Sequence, residues 1–353
     1  MNAPTVTWQP DILGDGFEQC PLGPAVLVRQ RATVPSPRGV VLHVHGYNDY
    51  FFQTHLADAA RDAGFLFYAV DTRTAGRALQ DGDIPHHVTD LRDQGRDIVA
   101  ALRVIRAQHP GLPVALHAHS TGGLTAACLL DAFPGVPPAT CPSGVGGPRA
   151  NPAADDGSAT LMPDALVLNS PFLELPTPVN GSLIPDGTTL AGRAVRAAVR
   201  LLGAVAPTVV VDPNHSAYGT AQLDTNGGRW FFDERLKNPD GQPTRAGWVA
   251  AVLAAQARVT RGLDIACPVL LAASTASSTD DLGNPRLDAS DTVLDVDRLV
   301  TLAPKLGRRV AVMRIDGGVH DLSLSDDGPR DRYITGVLHW LANVLPAPTA
   351  GDR

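Results

Sequence analysis

The apolar positions of this chain fall into short, nearly continuous runs separated by longer segments in which they recur every three or four residues. The runs "GVVLHVHG" (39–46) and "PVALHAHS" (113–120) have almost no polar face, the pattern of central strands buried on both sides. "AVLVRQRATV" (25–34) alternates instead, which predicts an antiparallel edge strand. Between these, "QTHLADAARDAG" predicts a helix ended by Gly64, and "FLFYAVD" the next strand. "VTDLRDQGRDIVAALRVIRAQHPG" predicts a helix closed by His109, Pro110 and Gly111. Later strands are expected at "DALVLNS" (164–170), "CPVLLAAS" (267–274) and "RVAVMRIDGG" (309–318), with a last helix near "DRYITGVLHWLANVL". Strands alternating with helices predict an α/β fold, a mostly parallel central sheet flanked by helices.

Two stretches interrupt the alternation. Residues 134–160 are dense in Pro, Gly and Ala, which supports no regular element and predicts a long, mobile surface loop. From Phe172 to Leu263 there is no clear core strand, but two segments have helical period. In "LAGRAVRAAVRLLGAVA", Val195, Val199 and Leu202 share one face and Arg193, Arg196 and Arg200 another; in "AGWVAAVLAAQARVTRGL", Trp248, Val252 and Val259 recur. The expectation is a helical cap (172–263) inserted between late strands, dividing a core into 1–171 and 264–353. No internal repeat is visible.

Composition narrows the classes. With 353 residues, 44% hydrophobic, 18% charged and a net charge of −7, the chain is an ordinary globule large enough for a sizeable core. Its mild acidity gives no electrostatic reason to expect a nucleic-acid partner. Nearly all positive charge is Arg; Lys237 and Lys305 are the two lysines, a compositional bias without mechanism. The start, "MNAPTVTWQPDILGDGFEQC", lacks the basic start and continuous apolar stretch of a secretory signal, and no apolar run approaches the ~20 residues that span a bilayer. The expectation is a soluble, cytoplasmic protein without stable membrane insertion. Cys20, Cys128, Cys141 and Cys267 are scattered without a C-x-x-C pair, so they are read as reduced thiols and not as a zinc site or disulfide framework.

The chemistry gathers around "AHSTGG" (118–123). A serine between a strand-like and a helix-like run, backed by glycines, is the pattern of a nucleophile elbow, whose usual form is G-x-S-x-G. Here Ala118 replaces the first glycine. A serine hydroxyl attacks only when a base removes its proton, so Ser120 needs a histidine and an orienting carboxylate. His320, in the glycine-rich "DGGVHDLSLS" after the last strand, is the expected base. Asp291, followed by the apolar anchor of "TVLDVD", is the favoured acid, with Asp280, Asp281 and Glu174 as alternatives; Asp288, Asp295 and Asp297 lie in the same stretch. The oxyanion of acyl transfer needs two preorganised donors. The Thr121 amide at the helix start and the Tyr47 amide in "HGYNDY" are expected to supply them, with Gly46 allowing close approach, His45 shaping the turn, and His119 and Gly122 supporting the elbow.

Together, "HVHGYNDYFFQTHLADAARDAGFLFYAVDTRTAGRAL", "AHSTGG", "SDTVLDVD" and "GGVHDL" resemble the monoacylglycerol lipase and lysophospholipase (serine aminopeptidase-like) group of α/β hydrolases. The resemblance covers most of the chain outside the 172–263 segment, the 134–160 loop and an insertion at 274–290. It implies the α/β-hydrolase fold, a Ser120, Asp291, His320 triad, oxyanion amides at Tyr47 and Thr121, and hydrolysis without a cofactor. The departures are Ala118, the cap sequence and the long approach to Asp291. An alanine is tolerable at 118 because the elbow demands small neighbours and the closest contacts follow the serine, where Gly122 and Gly123 remain.

The expected function is a carboxylic ester hydrolase acting on small or single-chain, monoacylglycerol-like esters. An amidase, peptidase, or carbamate or lactone hydrolase with the same triad remains open, as does a non-catalytic binding protein on this fold. A serine at the elbow excludes an aspartate nucleophile. His117 and His119 share a strand face, as do His43 and His45, but no third ligand at metal spacing accompanies them, so packed or hydrogen-bonded histidines and no metal are expected. Trp230, Phe231, Phe232 and Trp248 are expected to pack a local core rather than line an acyl pocket. The arginine face is expected to be solvated, and Asp71 and Arg73 to brace a loop. The pattern does not fix the oligomeric state.

Overall fold

The computed structural model describes residues 6–132, 161–175 and 189–348. The expected loop at 134–160, including Cys141, lies outside the described residues. Chain order begins with three antiparallel strands, β1 (Gln9–Asp11), β2 (Gly14–Leu22) and β3 (Ala25–Gln30). Then come β4 (Gly39–Val44), helix α1 (Thr54–Asp62), β5 (Phe65–Asp71), α2 (Leu91–Gln108), β6 (Val114–His119), α3 (Ser120–Ala132) and β7 (Ala165–Asn169). Between β7 and β10 (Val269–Ser274) lie α4 (Leu190–Val205), β8 (Val210–Asp212), α5 (Ala217–Gln222), β9 (Thr244–Arg245) and α6 (Ala246–Arg261). The chain ends with α7 (Val296–Thr301), β11 (Val310–Ile315) and α8 (Asp327–Val344).

The main sheet runs β1-β2-β3-β5-β4-β6-β7-β10-β11. Pairing is antiparallel from β1 through β5 and parallel from β5 to β11. The α/β architecture read from the apolar runs is therefore present, with one correction at its edge. β3 is not an edge strand, because β2 and β5 bond it on both sides. The missed neighbour β2 reads GDGFEQCPL, whose glycines, proline and polar positions carry little strand propensity.

Strand periodicity sorts the central side chains to two faces. Val40, Leu42 and Val44 of β4, with Val114, Leu116 and Ala118 of β6, pack in one cluster with α2, α3 and α6. Val41 and Ala115 face the other cluster, with α1 and α8. His43 and His117 also turn to that second face. Their Nδ1 atoms lie 2.9 Å apart, and His117 Nε2 is 2.7 Å from the Tyr333 hydroxyl of α8. Burial lowers both rings well below the ordinary histidine value, His117 to about 4. These are hydrogen-bonded core histidines.

Helix ends follow local chemistry. Asp90 caps α2 by accepting from the Arg92 amide at 3.0 Å, and Gly64 follows α1 at a left-handed φ of 86°. Asp71 and Arg73 brace their loop through separate partners. Asp71 accepts from buried Arg77 at 2.7 Å, while Arg73 pairs with Asp97 at 2.7 Å.

Of the two helices expected in the inserted segment, α6 belongs to the layer that covers the sheet. Trp248, Val252 and Val259 are buried in the main core beside α2 and α3. α4 stacks outside α6 at a close crossing, since a Cβ on Gly203 would meet Ala250 Cβ at 2.6 Å. On α4, Val199 and Leu202 are half-buried while Val195 is exposed. Arg200 is not merely solvated; it donates to the Leu253 carbonyl at 3.1 Å. Phe232 packs with Tyr50 and Phe52 in a third cluster, Trp230 stacks on His55 at 4.6 Å, and Phe231 is 76% exposed. Among the described residues, Cys20, Cys128 and Cys267 are free thiols, and no helix is long and apolar enough to cross a membrane.

Candidate active site

Ser120 stands where β6 becomes α3, with φ at +50°. That left-handed conformation is unusual for a residue with a Cβ and persists only where neighbours over-determine it. The glycines behind it supply the constraint. A Cβ on Gly122 would lie 2.2 Å from the His45 carbonyl, and one on Gly123 would lie 2.9 Å from Pro171 Cβ. Ala118, in contrast, is fully buried in the main core, in register with Val44 and Leu168. The tight approaches among the elbow glycines follow the serine, and the methyl group of Ala118 packs in the core in front of it.

The Ser120 hydroxyl lies 3.0 Å from His320 Nε2. His320 follows β11 on a turn whose Gly317 has φ +73° and whose Gly318 leaves no room for a side chain, a Cβ there lying 2.6 Å from Leu322 Cδ2. On its other side, His320 Nδ1 is 3.0 Å from Asp291 Oδ2 and 3.1 Å from Oδ1. Asp291 is held by its backbone, since its amide donates to Ala276 O at 2.9 Å and its carbonyl accepts from Ser278 at 3.0 Å. Its Oδ1 also accepts from the amides of Val293 and Leu294, each at 2.8 Å. The fractional exposures of Ser120, His320 and Asp291 are 6%, 5% and 0%, so the three groups are buried, with the acid the most deeply set.

The rival carboxylates have other partners. Asp280 accepts from the Tyr218 amide at 2.7 Å, Asp281 from the Gly283 amide at 2.7 Å, and Glu174 pairs with Arg298 at 3.0 Å. Asp295 caps α7, Asp297 pairs with Arg314, and Asp288 is exposed. Burial raises the Asp280 carboxyl above its ordinary value.

The turn after β4 lies against the serine, where a Cβ on Gly46 would stand 2.9 Å from Ser120 Cβ. His45 fixes this turn from both nitrogens: Nδ1 donates to Gly46 O at 2.7 Å and Nε2 accepts from the Thr72 amide at 3.0 Å. The Tyr47 side chain donates to Pro243 O at 2.9 Å, with its ring 4.3 Å from that of Trp248. Tyr47 follows the close approach of Gly46 to Ser120, and Thr121 follows Ser120 at the start of α3.

Several neighbours had no sequence signal. His86 packs its ring on Tyr47 at 5.5 Å, and burial lowers it to about 3. Tyr218 sets its ring edge-on to His320 at 6.4 Å, and its hydroxyl accepts from the Asp321 amide at 3.2 Å. Asp321 is buried and accepts from Gln53 at 3.1 Å, Asn169 at 2.7 Å and the Ser323 hydroxyl at 2.7 Å. Burial pushes its carboxyl up, but His119, the Ser323 bond, His43 and Lys237 together hold it well below the usual carboxylate range. His119 rests 4.9 Å from the His320 ring and donates from Nδ1 to Asn169 O at 3.1 Å. Donor atoms of Asp49, His119 and Asp321 converge within 4.8 Å of one another. Asp321 is already committed to hydrogen bonds, and Lys237 donates to Asp49 at 2.9 Å, so this convergence already has its own countercharge. The doublet His320-Asp321 was the one visible clue.

The wider likeness of this fold is extensive. The crystal structure of Paleococcus ferrophilus monoacylglycerol lipase superposes with a TM-score of 0.59 at 18% identity, covering 89% of this chain and 98% of that one. A soluble variant of monoglyceride lipase from Saccharomyces cerevisiae, in complex with a substrate analog, gives 0.58 at 15% identity, covering 98% and 97%. In sequence, residues 35–138 match the family described as Serine aminopeptidase, S33. At these identities the likeness shows a shared α/β-hydrolase fold. A monoacylglycerol lipase of Mycolicibacterium smegmatis is 36% identical over 88 residues, 25% of this chain. That match spans 30% of the relative's own length. In this fold the residues of interest sit beyond the carboxyl ends of β4, β6 and β11, where open parallel sheets bind ligands.

Proposed function

We propose that this protein is a serine hydrolase that cleaves carboxylic esters, small or single-chain and monoacylglycerol-like, through an acyl-enzyme on Ser120. The reading is carried by the relay in which the Ser120 hydroxyl lies 3.0 Å from His320 Nε2 while Asp291 bonds His320 Nδ1. His320 Nε2 takes the hydroxyl proton as Ser120 Oγ bonds to the acyl carbon, then gives it to the departing alcohol oxygen. Water repeats the sequence on the acyl-enzyme: its proton goes to His320, its oxygen to the acyl carbon, and Ser120 Oγ leaves reprotonated. Asp291 keeps the Nδ1 proton in place and stabilises the imidazolium. The amides of Tyr47 and Thr121 receive the charge that develops on the carbonyl oxygen, each typically worth about 3–4 kcal/mol in the transition state. From the inserted segment, Tyr218 sets its ring edge-on to His320 and residues 233–243 bond the turn after β4.

A fluorophosphonate should label Ser120 in the wild-type chain, and Ser120→Ala should abolish both labelling and ester turnover. An unlabelled wild type, or a Ser120→Ala variant with full activity, would end this reading. A series of aryl esters and monoacylglycerols of rising chain length reads the acyl preference as an optimum in kcat/KM. The family match described as Serine aminopeptidase supports a second reading, amide hydrolysis by the same residues. Amide turnover rivalling that of the matched ester would favour it.

A further inference from the structure

The turn after β4 is fastened to the inserted segment at four successive residues. The Tyr47 hydroxyl donates to Pro243 O at 2.9 Å. Asn48 and Asn238 bond reciprocally, Nδ2 to carbonyl at 2.8 Å and amide to Oδ1 at 3.0 Å. Lys237 Nζ donates to Asp49 Oδ1 at 2.9 Å, and the Asp233 amide donates to the Tyr50 hydroxyl at 2.8 Å. The Lys237–Asp49 pair is buried, and its ammonium sits 4.8 Å from the Phe52 ring centre and 5.2 Å from that of Phe232. Among the described residues Asp49 Oδ2 has no hydrogen-bond partner, so Lys237 is the carboxylate's anchor. Asn48 itself holds a φ of +52°, a conformation its side-chain bonds pin in place.

A buried ion pair is weak evidence of stabilisation, because desolvating two charges offsets most of their attraction, and an apolar pair of similar volume often serves folding as well. What such a pair does supply is a fixed position. Here the fixed object is the turn that carries the Tyr47 amide, one of the two donors invoked for the oxyanion, and a donor helps only if it is already where the charge develops. We infer that Lys237 is a positioning residue: through its ion pair with Asp49, and alongside Asn238 on Asn48, it sets the place of the Tyr47 amide relative to Ser120. The part of the inserted segment that holds this turn thereby governs turnover. The inference rests on the serine-hydrolase reading above.

Kinetics per active site, counted by the burst of a fluorophosphonate, separate positioning from folding. In the full-length chain, Lys237→Met should lower kcat per titrated site about 10- to 100-fold on a short aryl ester, with KM nearly unchanged. Lys237→Arg, which keeps a cation for Asp49, should recover most of that loss. Lys237→Met leaves a buried carboxylate unpaired and can impair folding, so Asn48→Gly serves as the second variant. It accepts the positive φ, buries no lone charge, and should lower kcat per site in the same direction. Wild-type kcat per titrated site in both Lys237→Met and Asn48→Gly, whatever their melting temperatures, would overturn the inference. A wild-type protein that the fluorophosphonate does not label would overturn the hydrolase reading itself, a distinct outcome.

Discussion

Gly46 and Ser120 stand so close that a Cβ on residue 46 would lie 2.9 Å from Ser120 Cβ and 3.2 Å from His119 Cδ2. Neither obstacle is the flexible end of a long side chain, so an added methyl group must move the turn away from the serine. Gly46→Ala should therefore lower kcat about 100-fold, the scale of a misplacement near 1 Å. Its backbone conformation suits alanine, so the melting temperature should change little. Wild-type kcat in Gly46→Ala would show that the Tyr47 amide has no part in turnover.

Asp291 and Asp280 are both acids of the same loop region, but only Asp291 reaches His320 among the described residues. Asp291→Asn should preserve the packing while presenting an amide to His320 Nδ1, which favours the wrong tautomer. The expected loss in kcat is about 10⁴-fold, against less than about 10-fold for Asp280→Asn. The reverse ranking would transfer the orienting role to Asp280.

How much of this was legible in the chain depends on how far apart the deciding contacts lie in sequence. Ser120 and His320 were visible because each follows an apolar strand and is bracketed by glycines, a local pattern. Asp291 was favoured over Asp280 from its apolar anchor alone. What separates them in space is the backbone pairing of residue 291 with residues 276 and 278 across an intervening excursion, which no periodicity records. The reach of Lys237 to Asp49 likewise joins positions with no common motif. β1 and β2 were missed because their residues are poor strand formers held by pairing. α6 was assigned to the insertion because period alone says that a helix has an apolar face, not which layer that face meets.

Histidine burial predicts acid sensitivity. Burial lowers His117 from 6.5 to about 4 and His86 from 6.5 to about 3. Between pH 6.5 and those values the unfolded chain carries a proton on each ring that the folded chain does not. Stability should thus fall as pH drops through that window, by up to about 1.4 kcal/mol per pH unit for each ring. Melting temperatures measured from pH 7 to pH 4 should decline, and less steeply in His86→Gln, which removes one of these titrations. A flat profile would mean that these rings protonate in the folded protein.

Ala118→Gly tests the one departure from the usual elbow. Ala118 is fully buried, its strand pairs on both sides, and the close approaches around the serine belong to Gly46, Gly122 and Gly123. A glycine there would relieve no contact that the serine needs relieved. It would remove a buried methyl group and free the backbone of a central strand, costing about 1–2 kcal/mol of stability. The variant should therefore melt lower while keeping wild-type kcat per titrated site. A gain in kcat would instead show that the Ala118 methyl group strains the elbow, so that the substitution compromises turnover as well as departing from the pattern.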